Sequence, residues 1–330
     1  MEKVLFFDVH AFEKAGLVEC AATRGVEAHF LDSRLGELTV GLAKGFSAVS
    51  CFVNDALTAP VLAQLAEDGT KLVALRCAGF NNVDLPAAAA AGITIVRVPE
   101  YSPHAVAEHA TALLLTLNRK THKAWNRTRE MNFSLDGLVG FDLYGKTVGV
   151  VGAGRIGQCF INIMLGFGCK ILYHDPDVTL SIPGVQASSL EDLFSHSDVV
   201  SLHVPLNEQT RHLVSDQAFS LMKSHAIILN TGRGALIDTV ALIRALKGGR
   251  IGGAGLDVYE EEEKVFFRDL SFSILDDDLL ARLMTFPNVI ITSHQGFLTH
   301  EALQAIANTT FDNIENFFEG KSDKNRVVHE

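Results

Sequence analysis

Short apolar runs alternate with longer amphipathic stretches along most of the chain, and this pattern predicts strands that alternate with helices. In the first hundred residues the apolar runs are Val4–Phe7, Val26–Leu31, Ala48–Val53, Leu72–Leu75 and Ile93–Val98. From Lys146 onward they are Thr147–Val151, Lys170–His174, Val199–Val204, Ala226–Thr231, Gly253–Val258 and Val289–Thr292. Because helical patterns separate most of these runs, we predict an α/β protein with two doubly wound parallel sheets.

Two segments outside this alternation suggest how the chain divides. The polar segment Asn118–Tyr144 holds the only tryptophan, and it either covers its own domain or packs on a second subunit. The amphipathic stretch His300–Phe318 follows the second sheet and must bury its apolar face, so we expect it to return to the first sheet. The predicted domains are therefore residues 1–100 with 298–330, and residues 101–297 between them. The tail, residues 321–330, is predicted to be disordered.

The composition is that of a globular protein large enough for two domains: 330 residues, 48% apolar and 20% charged. The formal net charge of −11 argues against a nucleic-acid partner. No run approaches the ~18 apolar residues that suggest a membrane span, and no secretory signal is visible. The five cysteines lack the spacing of metal ligands. We therefore expect a cytoplasmic protein with reduced thiols, no membrane contact and no metal.

A glycine-rich turn joins the first strand of the second sheet to the next helical pattern. The turn reads Gly152-Ala153-Gly154-Arg155-Ile156-Gly157, and the strand after that helix ends at Asp175. This order of strand, G-x-G-x-x-G turn, helix, strand and acid is typical of dinucleotide-binding units. The first glycine would allow the tight turn, the second the approach of a pyrophosphate, and the third close helix packing. Asp175 would bind the ribose hydroxyls and repel a 2′-phosphate, so we predict NAD as the cofactor.

Three later strand ends carry residues that can do chemistry, and ligands of parallel sheets bind at such ends. Arg233 lies between two glycines and could bind a carboxylate, although a surface arginine in a turn would look the same. The run Glu260–Glu263 is of a kind most often solvated, but one carboxylate could point inward. His294, with a carboxylate nearby, would be a good proton donor to a carbonyl under reduction. Together these residues suggest hydride transfer to a small 2-oxo acid.

With these features the chain resembles the D-isomer-specific 2-hydroxyacid dehydrogenases over essentially its whole length, and within them the fermentative D-lactate dehydrogenases. The motifs that carry the resemblance are Arg76–Asp84, Tyr101–Glu108, Gly152–Gly157, His203–Leu206, Asn230–Asp238, Gly255–Glu260 and His294–Phe297. The resemblance implies a flavodoxin-like catalytic domain and a Rossmann NAD-binding domain with a cleft between them. It also implies reversible reduction of pyruvate to D-lactate by a homodimer or homotetramer.

The resemblance further implies roles for individual residues. The catalytic set would be Arg233 for the substrate carboxylate, His294 as acid and base, and Glu262 as the glutamate that pairs with His294. The substrate-binding positions would be Phe52, Arg76, Ala78, Gly79, Tyr101 and Phe297, where the two phenylalanines shape a small pocket, Ala78 and Gly79 act through their amides, and Arg76 supports their loop. The cofactor-binding positions would be Gly152, Gly154, Arg155, Ile156, Gly157, Asp175, Val204, Pro205, Thr231, Gly232, Asp257, His294 and Gly296, with Asp257 near the nicotinamide amide.

Some positions depart from the family pattern, and two other functions stay open. Gly232 stands where many relatives have serine, Gly296 where alanine is common, and Asn207-Glu208-Gln209 replaces a segment that often contains threonine and proline. None of these departures removes a catalytic group. The alternative functions are a dehydrogenase for a larger D-2-hydroxy acid and an NAD-sensing corepressor or scaffold.

Overall fold

The computed structural model describes residues 3–321 and 324–328. Its strands, in chain order, are β1 (Lys3–Phe6), β2 (Glu27–Phe30), β3 (Ala48–Cys51), β4 (Leu72–Leu75), β5 (Thr94–Arg97), β6 (Thr147–Val151), β7 (Lys170–His174), β8 (Val185–Ala187), β9 (Val199–Leu202), β10 (Ile227–Asn230), β11 (Gly253–Leu256), β12 (Val289–Ile291) and β13 (Arg326–Val327). Its helices are α1 (Ala11–Arg24), α2 (Ala59–Glu67), α3 (Leu85–Ala90), α4 (Pro103–Arg119), α5 (Thr121–Arg129), α6 (Arg155–Gly166), α7 (Leu190–His196), α8 (Asp216–Leu221), α9 (Thr239–Lys247), α10 (Asp278–Met284) and α11 (His300–Phe318).

The predicted fold class is confirmed: the described residues form two sheets, and every apolar run named above contains a strand. Two further strands, β8 and β13, were not predicted, because neither Val185–Ala187 nor Arg326–Val327 forms an apolar run. The prediction of a disordered tail is wrong for Arg326–Val327, which pairs with β5. Residues 322–323 and 329–330 of that tail lie outside the described residues. Helix α5 occupies part of the segment that was expected to be irregular.

The chain forms two compact units, the first made of Met1–Ser102 with Leu298–Glu330 and the second of Pro103–Phe297. The sheet of the first unit has the order β13-β5-β4-β3-β1-β2, and only β13 runs antiparallel to its neighbour. Helix α11, capped by the Thr299 side chain, packs its apolar face on this sheet. The ring of Phe311 stacks on that of Phe6 with the centroids 5.4 Å apart. This helix therefore completes the core that β1 begins.

Arg76, at the end of β4, lies inside the first unit and is only 1% exposed. Its guanidinium donates to both carboxylate oxygens of Glu13, at 3.0 and 3.1 Å, and to the carbonyl oxygens of Phe7 and Asp8 and the hydroxyl of Ser50. A buried charge requires such partners, and these occupy all three guanidinium nitrogens. The side chain therefore ties β1, β3 and α1 together, and the role expected of Arg76 at the substrate site, as a support of the Ala78–Gly79 loop, stays a prediction.

The second unit has a seven-stranded, wholly parallel sheet of order β12-β11-β10-β9-β6-β7-β8. The order reverses between β6 and β9, which is the point where ligands of doubly wound sheets bind, beyond the carboxyl ends of the strands. Apolar clusters cover both faces of the sheet, and α4 contributes to one of them. Gly255 of β11 has no side chain between the strand and this helix, since a Cβ there would lie 3.1 Å from Leu117 and 3.2 Å from Leu113.

Candidate active site

The glycine turn after β6 has the geometry of a phosphate-binding loop. Gly152 has φ of +93°, a conformation that favours glycine, and a Cβ there would lie 2.6 Å from the carbonyl oxygen of His203. A Cβ on Gly157 would lie 2.0 Å from the carbonyl oxygen of Gly152, so only glycine lets α6 start this close to the strand. A Cβ on Gly154, in contrast, would meet no atom beyond its chain neighbours and its own helix within 4 Å among the described residues. The middle glycine therefore borders open space, as the approach of a ligand requires.

Asp175 lies beside this turn. Its Oδ2 accepts the backbone N–H of Ala153 at 2.7 Å, and its Oδ1 accepts those of Asp177 and Val178 at 3.0 Å. The three bonds fix the carboxylate next to the glycine loop, while Oδ2 keeps capacity to accept a further hydrogen bond. The carboxylate is therefore in a position to read the ribose next to a bound pyrophosphate.

Other features of the second unit also fit a dinucleotide. Helix α6 begins after Gly154 without a side-chain cap, so its first-turn amides can receive a phosphate. The hydroxyl of Thr231 is buried and finds no hydrogen-bond partner within residues 3–321 and 324–328. A buried hydroxyl normally has a partner, and a bound ligand would supply one. Val204 and Pro205 follow β9, and Gly232 follows Thr231, at the same edge of the sheet.

Arg233 lies on a tight loop after β10. The side chain of Asn230 folds this loop by accepting the N–H of Gly232 at 3.1 Å and donating to the carbonyl oxygen of Arg233 at 2.9 Å. Gly234 presses the loop against the extension of β11, since a Cβ there would lie 2.1 Å from the carbonyl carbon of Tyr259. Among the described residues no carboxylate lies within ion-pair distance of the guanidinium, which donates to the carbonyl oxygen of Gly232. The arginine can therefore receive an external carboxylate.

His294 and Glu262 form a hydrogen-bonded pair at the neighbouring strand ends. Nδ1 of His294 lies 2.6 Å from Oε1 of Glu262, and the other carboxylate oxygen accepts the N–H of Tyr259 at 2.9 Å. Both side chains are largely buried but keep some exposed surface. Since Glu262 carries no proton to share when ionised, Nδ1 is the donor, and Nε2 makes no hydrogen bond within the described part of the chain. This arrangement leaves one ring nitrogen able to exchange a proton.

The carboxylate of Asp257, directly after β11, holds the loop that carries His294. It accepts the backbone N–H groups of Gln295 at 2.9 Å and of Gly296 at 2.7 Å, and the hydroxyl of Thr292 at 2.5 Å. Burial by itself would raise the pKa of this acid, but hydrogen bonds from His109 and Thr292 bring the pKa below its ordinary value. Neither His109 nor Thr292 was predicted as a site residue, because neither lies in a pattern that sequence reasoning associates with chemistry. The predicted contact of Asp257 with nicotinamide stays a prediction.

The remaining predicted substrate residues lie apart along the chain. In the first unit, Phe52 follows β3 and is almost fully buried, and Ala78 and Gly79 follow the neighbouring β4. Tyr101 precedes α4, and Phe297, in the second unit, is buried. The contacts of these residues with substrate stay predictions.

The chain matches known proteins along its whole length. Residues 111–296 match the family model described as D-isomer specific 2-hydroxyacid dehydrogenase, NAD binding domain. The chain is 47% identical to the D-lactate dehydrogenase of Escherichia coli (strain K12), over 99% of this chain and 100% of that protein. The chain belongs to the D-isomer-specific 2-hydroxyacid dehydrogenase family.

Solved structures show the same likeness. The pyruvate reductase of Chlamydomonas reinhardtii superposes with a TM-score of 0.92 at 39% identity, over 98% of both chains. D-2-hydroxyisocaproate dehydrogenase superposes with a TM-score of 0.87 at 33% identity, over 99% of this chain and 100% of the other. As a member of this dehydrogenase family the protein is an NAD-dependent oxidoreductase, and the predicted cofactor is confirmed. None of the helices in the described ranges is long and apolar enough to cross a membrane.

In this 2-hydroxyacid dehydrogenase, we expect Asp175→Ala to weaken NADH binding by about 10- to 100-fold, since charge-assisted hydrogen bonds to the ribose are lost. The affinity for NADPH should fall much less, because repulsion of the 2′-phosphate disappears with the same change. Fluorescence titration with both cofactors measures the two affinities. The exposed neighbour Asp177 gives the control variant Asp177→Ala, which should leave both unchanged. An equal loss for NADH and NADPH would show that Asp175 does not read the ribose.

Proposed function

We propose that this 2-hydroxyacid dehydrogenase is a D-lactate dehydrogenase that reversibly reduces pyruvate to D-lactate. The observation that carries the proposal is the His294–Glu262 pair, 2.6 Å apart, in which Glu262 follows the segment that lies against the Arg233 loop. The likeness of the whole chain to the Escherichia coli D-lactate dehydrogenase supports this substrate.

In this proposal His294 moves the proton of the reaction. Bound NADH supplies the hydride to the carbonyl carbon. Nε2 of His294 gives its proton to the carbonyl oxygen, so that C=O becomes CH–OH, and in the reverse direction it takes that proton back. Glu262 accepts from Nδ1 and thereby fixes which ring nitrogen faces the substrate. The backbone N–H of Tyr259 holds Glu262 in turn.

Arg233 binds the carboxylate of the 2-oxo acid in the same proposal. Its planar guanidinium can make two parallel hydrogen bonds, which would fix both the position and the plane of the substrate. Residues 1–100 and 298–330 are proposed as the substrate domain, and residues 101–297 as the NAD-binding domain. The backbone N–H groups of Ala78 and Gly79 make no hydrogen bond within residues 3–321 and 324–328, and this supports their role as carboxylate donors. Arg76 is not proposed to bind the substrate carboxylate, because its guanidinium nitrogens already donate to groups of the protein.

A panel of 2-oxo acids assayed with NADH tests the substrate. We expect the highest kcat/KM with pyruvate. One extra methylene on a substrate that enters a small apolar pocket changes the free energy of transition-state binding by ~1–3 kcal/mol, which alters kcat/KM by roughly 10- to 200-fold. The competing substrates are branched and aromatic 2-oxo acids, which the similarity to D-2-hydroxyisocaproate dehydrogenase makes the relevant alternative. A kcat/KM for pyruvate orders of magnitude below those for the larger acids would contradict the lactate assignment.

For the proton transfer we expect His294→Ala to lower kcat for pyruvate reduction by about 10²- to 10⁴-fold, because the general acid is lost. The exposed His300, changed to alanine, serves as the control and should keep normal turnover. Glu262→Gln should also lower kcat, whereas Glu261→Gln, at the exposed neighbouring glutamate, should not. Near-normal turnover by His294→Ala would refute the assigned acid.

The protein is further proposed to be a homo-oligomer, a dimer or tetramer, that uses the arm of residues 118–144. Six large apolar side chains of this arm are 60–85% exposed: Trp125, Met131, Phe133, Leu135, Val139 and Tyr144. The arm is nevertheless held in shape, since Asn118 makes two hydrogen bonds with Phe141, at 2.7 and 2.8 Å. So many exposed apolar side chains on one ordered segment favour a protein interface.

Val139→Asp combined with Leu135→Asp should convert the oligomer to a monomer, because two buried, unpaired charges destabilise an apolar interface by several kcal/mol. Sedimentation velocity at micromolar concentration measures the change. Leu38→Asp, at an equally exposed leucine of the first unit, is the matched control. A wild-type protein that sediments as a monomer would overturn the proposal.

A cytoplasmic location is also proposed. Its support is that Cys20, Cys51, Cys77, Cys159 and Cys169 are all free thiols, as is usual in a reducing compartment.

A further inference from the structure

We propose that His109 of α4 is a positioning residue for the reaction: through Asp257 it holds the loop that presents His294. The proposal rests on the proposed role of His294 as acid and base. It concerns residues of the second unit alone, and it gives a role to a histidine that the sequence did not single out for substrate or cofactor binding.

The first step of the argument is the contact between the ring of His109 and the loop. Its Nε2 lies 3.1 Å from Oδ1 of Asp257 and 3.0 Å from the hydroxyl oxygen of Thr292. The Thr292 hydroxyl itself donates to the same carboxylate oxygen, at 2.5 Å. The hydroxyl proton is therefore used, and Nε2 beside a carboxylate must carry a hydrogen to donate. His109, Thr292 and Asp257 thus form a closed triangle at the end of β11 and β12.

The second step is the dependence of the His294 loop on Asp257. The backbone N–H of His294 donates to the carbonyl oxygen of Asp257 at 2.7 Å, and the next two N–H groups donate to its carboxylate. The backbone N–H groups of three successive residues therefore donate to the same aspartate. His294 also has φ of +49°, which costs a residue with a Cβ about 1 kcal/mol or more unless its surroundings hold it. The direction in which the imidazole points is set by these bonds.

The third step is the need of Asp257 for a partner with a positive or strongly polar donor. The side chain is 1% exposed, and a carboxylate withdrawn from water requires hydrogen bonds to remain ionised. Among the described residues, His109 is the one donor of this carboxylate that lies on a helix rather than on the loop or strand end itself. The other donors belong to the loop or to the end of β12, so His109 is the contact that joins the loop to a helix.

The fourth step is the packing of α4, the helix that carries His109, on the sheet. Leu113 lies one helical turn after His109, on the same face of α4, and packs within 3.2 Å of where a Cβ on Gly255 would be. The helix is therefore seated directly on β11, two residues before Asp257. On the other side, the ring of His109 lies 3.7 Å from the position of a Cβ on Gly296. The absence of a side chain at Gly296 lets the ring and the carboxylate both press against the loop.

The test compares His109→Leu with His109→Gln. Leucine removes the donor, and we expect kcat for pyruvate reduction to fall by roughly 10- to 100-fold, as small misplacements of a catalytic group do. The Kd for NADH, measured by fluorescence, should stay unchanged. Glutamine keeps an N–H donor at a similar reach and should recover most of the lost turnover. His196→Leu, at an exposed histidine of the same unit, should behave as wild type.

A double-mutant cycle separates positioning from a general structural effect. In a His294→Ala background, His109→Leu should cause no further loss of kcat, because the group it positions is already gone. If His109→Leu does not fold, His109→Asn, whose donor is too short to reach Asp257, replaces it in the cycle. Normal kcat for the His109 variants, an equal loss for leucine and glutamine, or full additivity with His294→Ala would overturn the positioning role. Normal kcat for His294→Ala alone would instead overturn the proposed function.

Discussion

The carboxylate of Asp257 is the contact on which the geometry of the candidate site depends. It is withdrawn from water at the end of β11, and its hydrogen bonds reach the backbone of the next loop, the hydroxyl of Thr292 and the ring of His109. A buried charge with several directed partners tolerates few arrangements, since any lost bond leaves part of the charge unpaired. The loop that carries His294 is consequently held in one conformation, including a backbone that would otherwise be unfavourable.

The parallel sheet of the second unit brings the other parts of the site to the same edge. In a parallel sheet all strands end on one side, so residues far apart in sequence become neighbours when their strands are neighbours. The strand order β12-β11-β10-β9-β6 places the ends of these strands in a row, and these ends carry His294, Asp257, Arg233, Val204 and Gly152. Glycines at the ends permit the close approaches between loops, as at Gly234, which lies against the backbone of Tyr259.

The first unit uses a buried charge differently. Arg76 follows β4 as the glycine turn follows β6, and it stands shortly before Ala78 and Gly79, whose backbone N–H groups make no hydrogen bond within the described residues. From sequence such an arginine looks like a ligand for an anion. In the structure its guanidinium is enclosed by Glu13 and by carbonyl oxygens, so its positive charge is paired with a carboxylate inside the protein. The same residue type thus serves structure at Arg76 and remains open to a ligand at Arg233.

The amino-acid sequence by itself determined the elements with a clear period, the parallel α/β class and the glycine turn, because these depend on local patterns of apolar residues and glycine. It named His294 from its place after a strand, while the choice of Glu262 among four glutamates came from family resemblance and not from spacing. The strands β8 and β13 were not predicted, since neither forms an apolar run. Only the tertiary structure decided that Arg76 is buried and that His109 reaches Asp257. Both outcomes depend on which side chains from distant segments meet in the interior, and a linear pattern does not contain those distances.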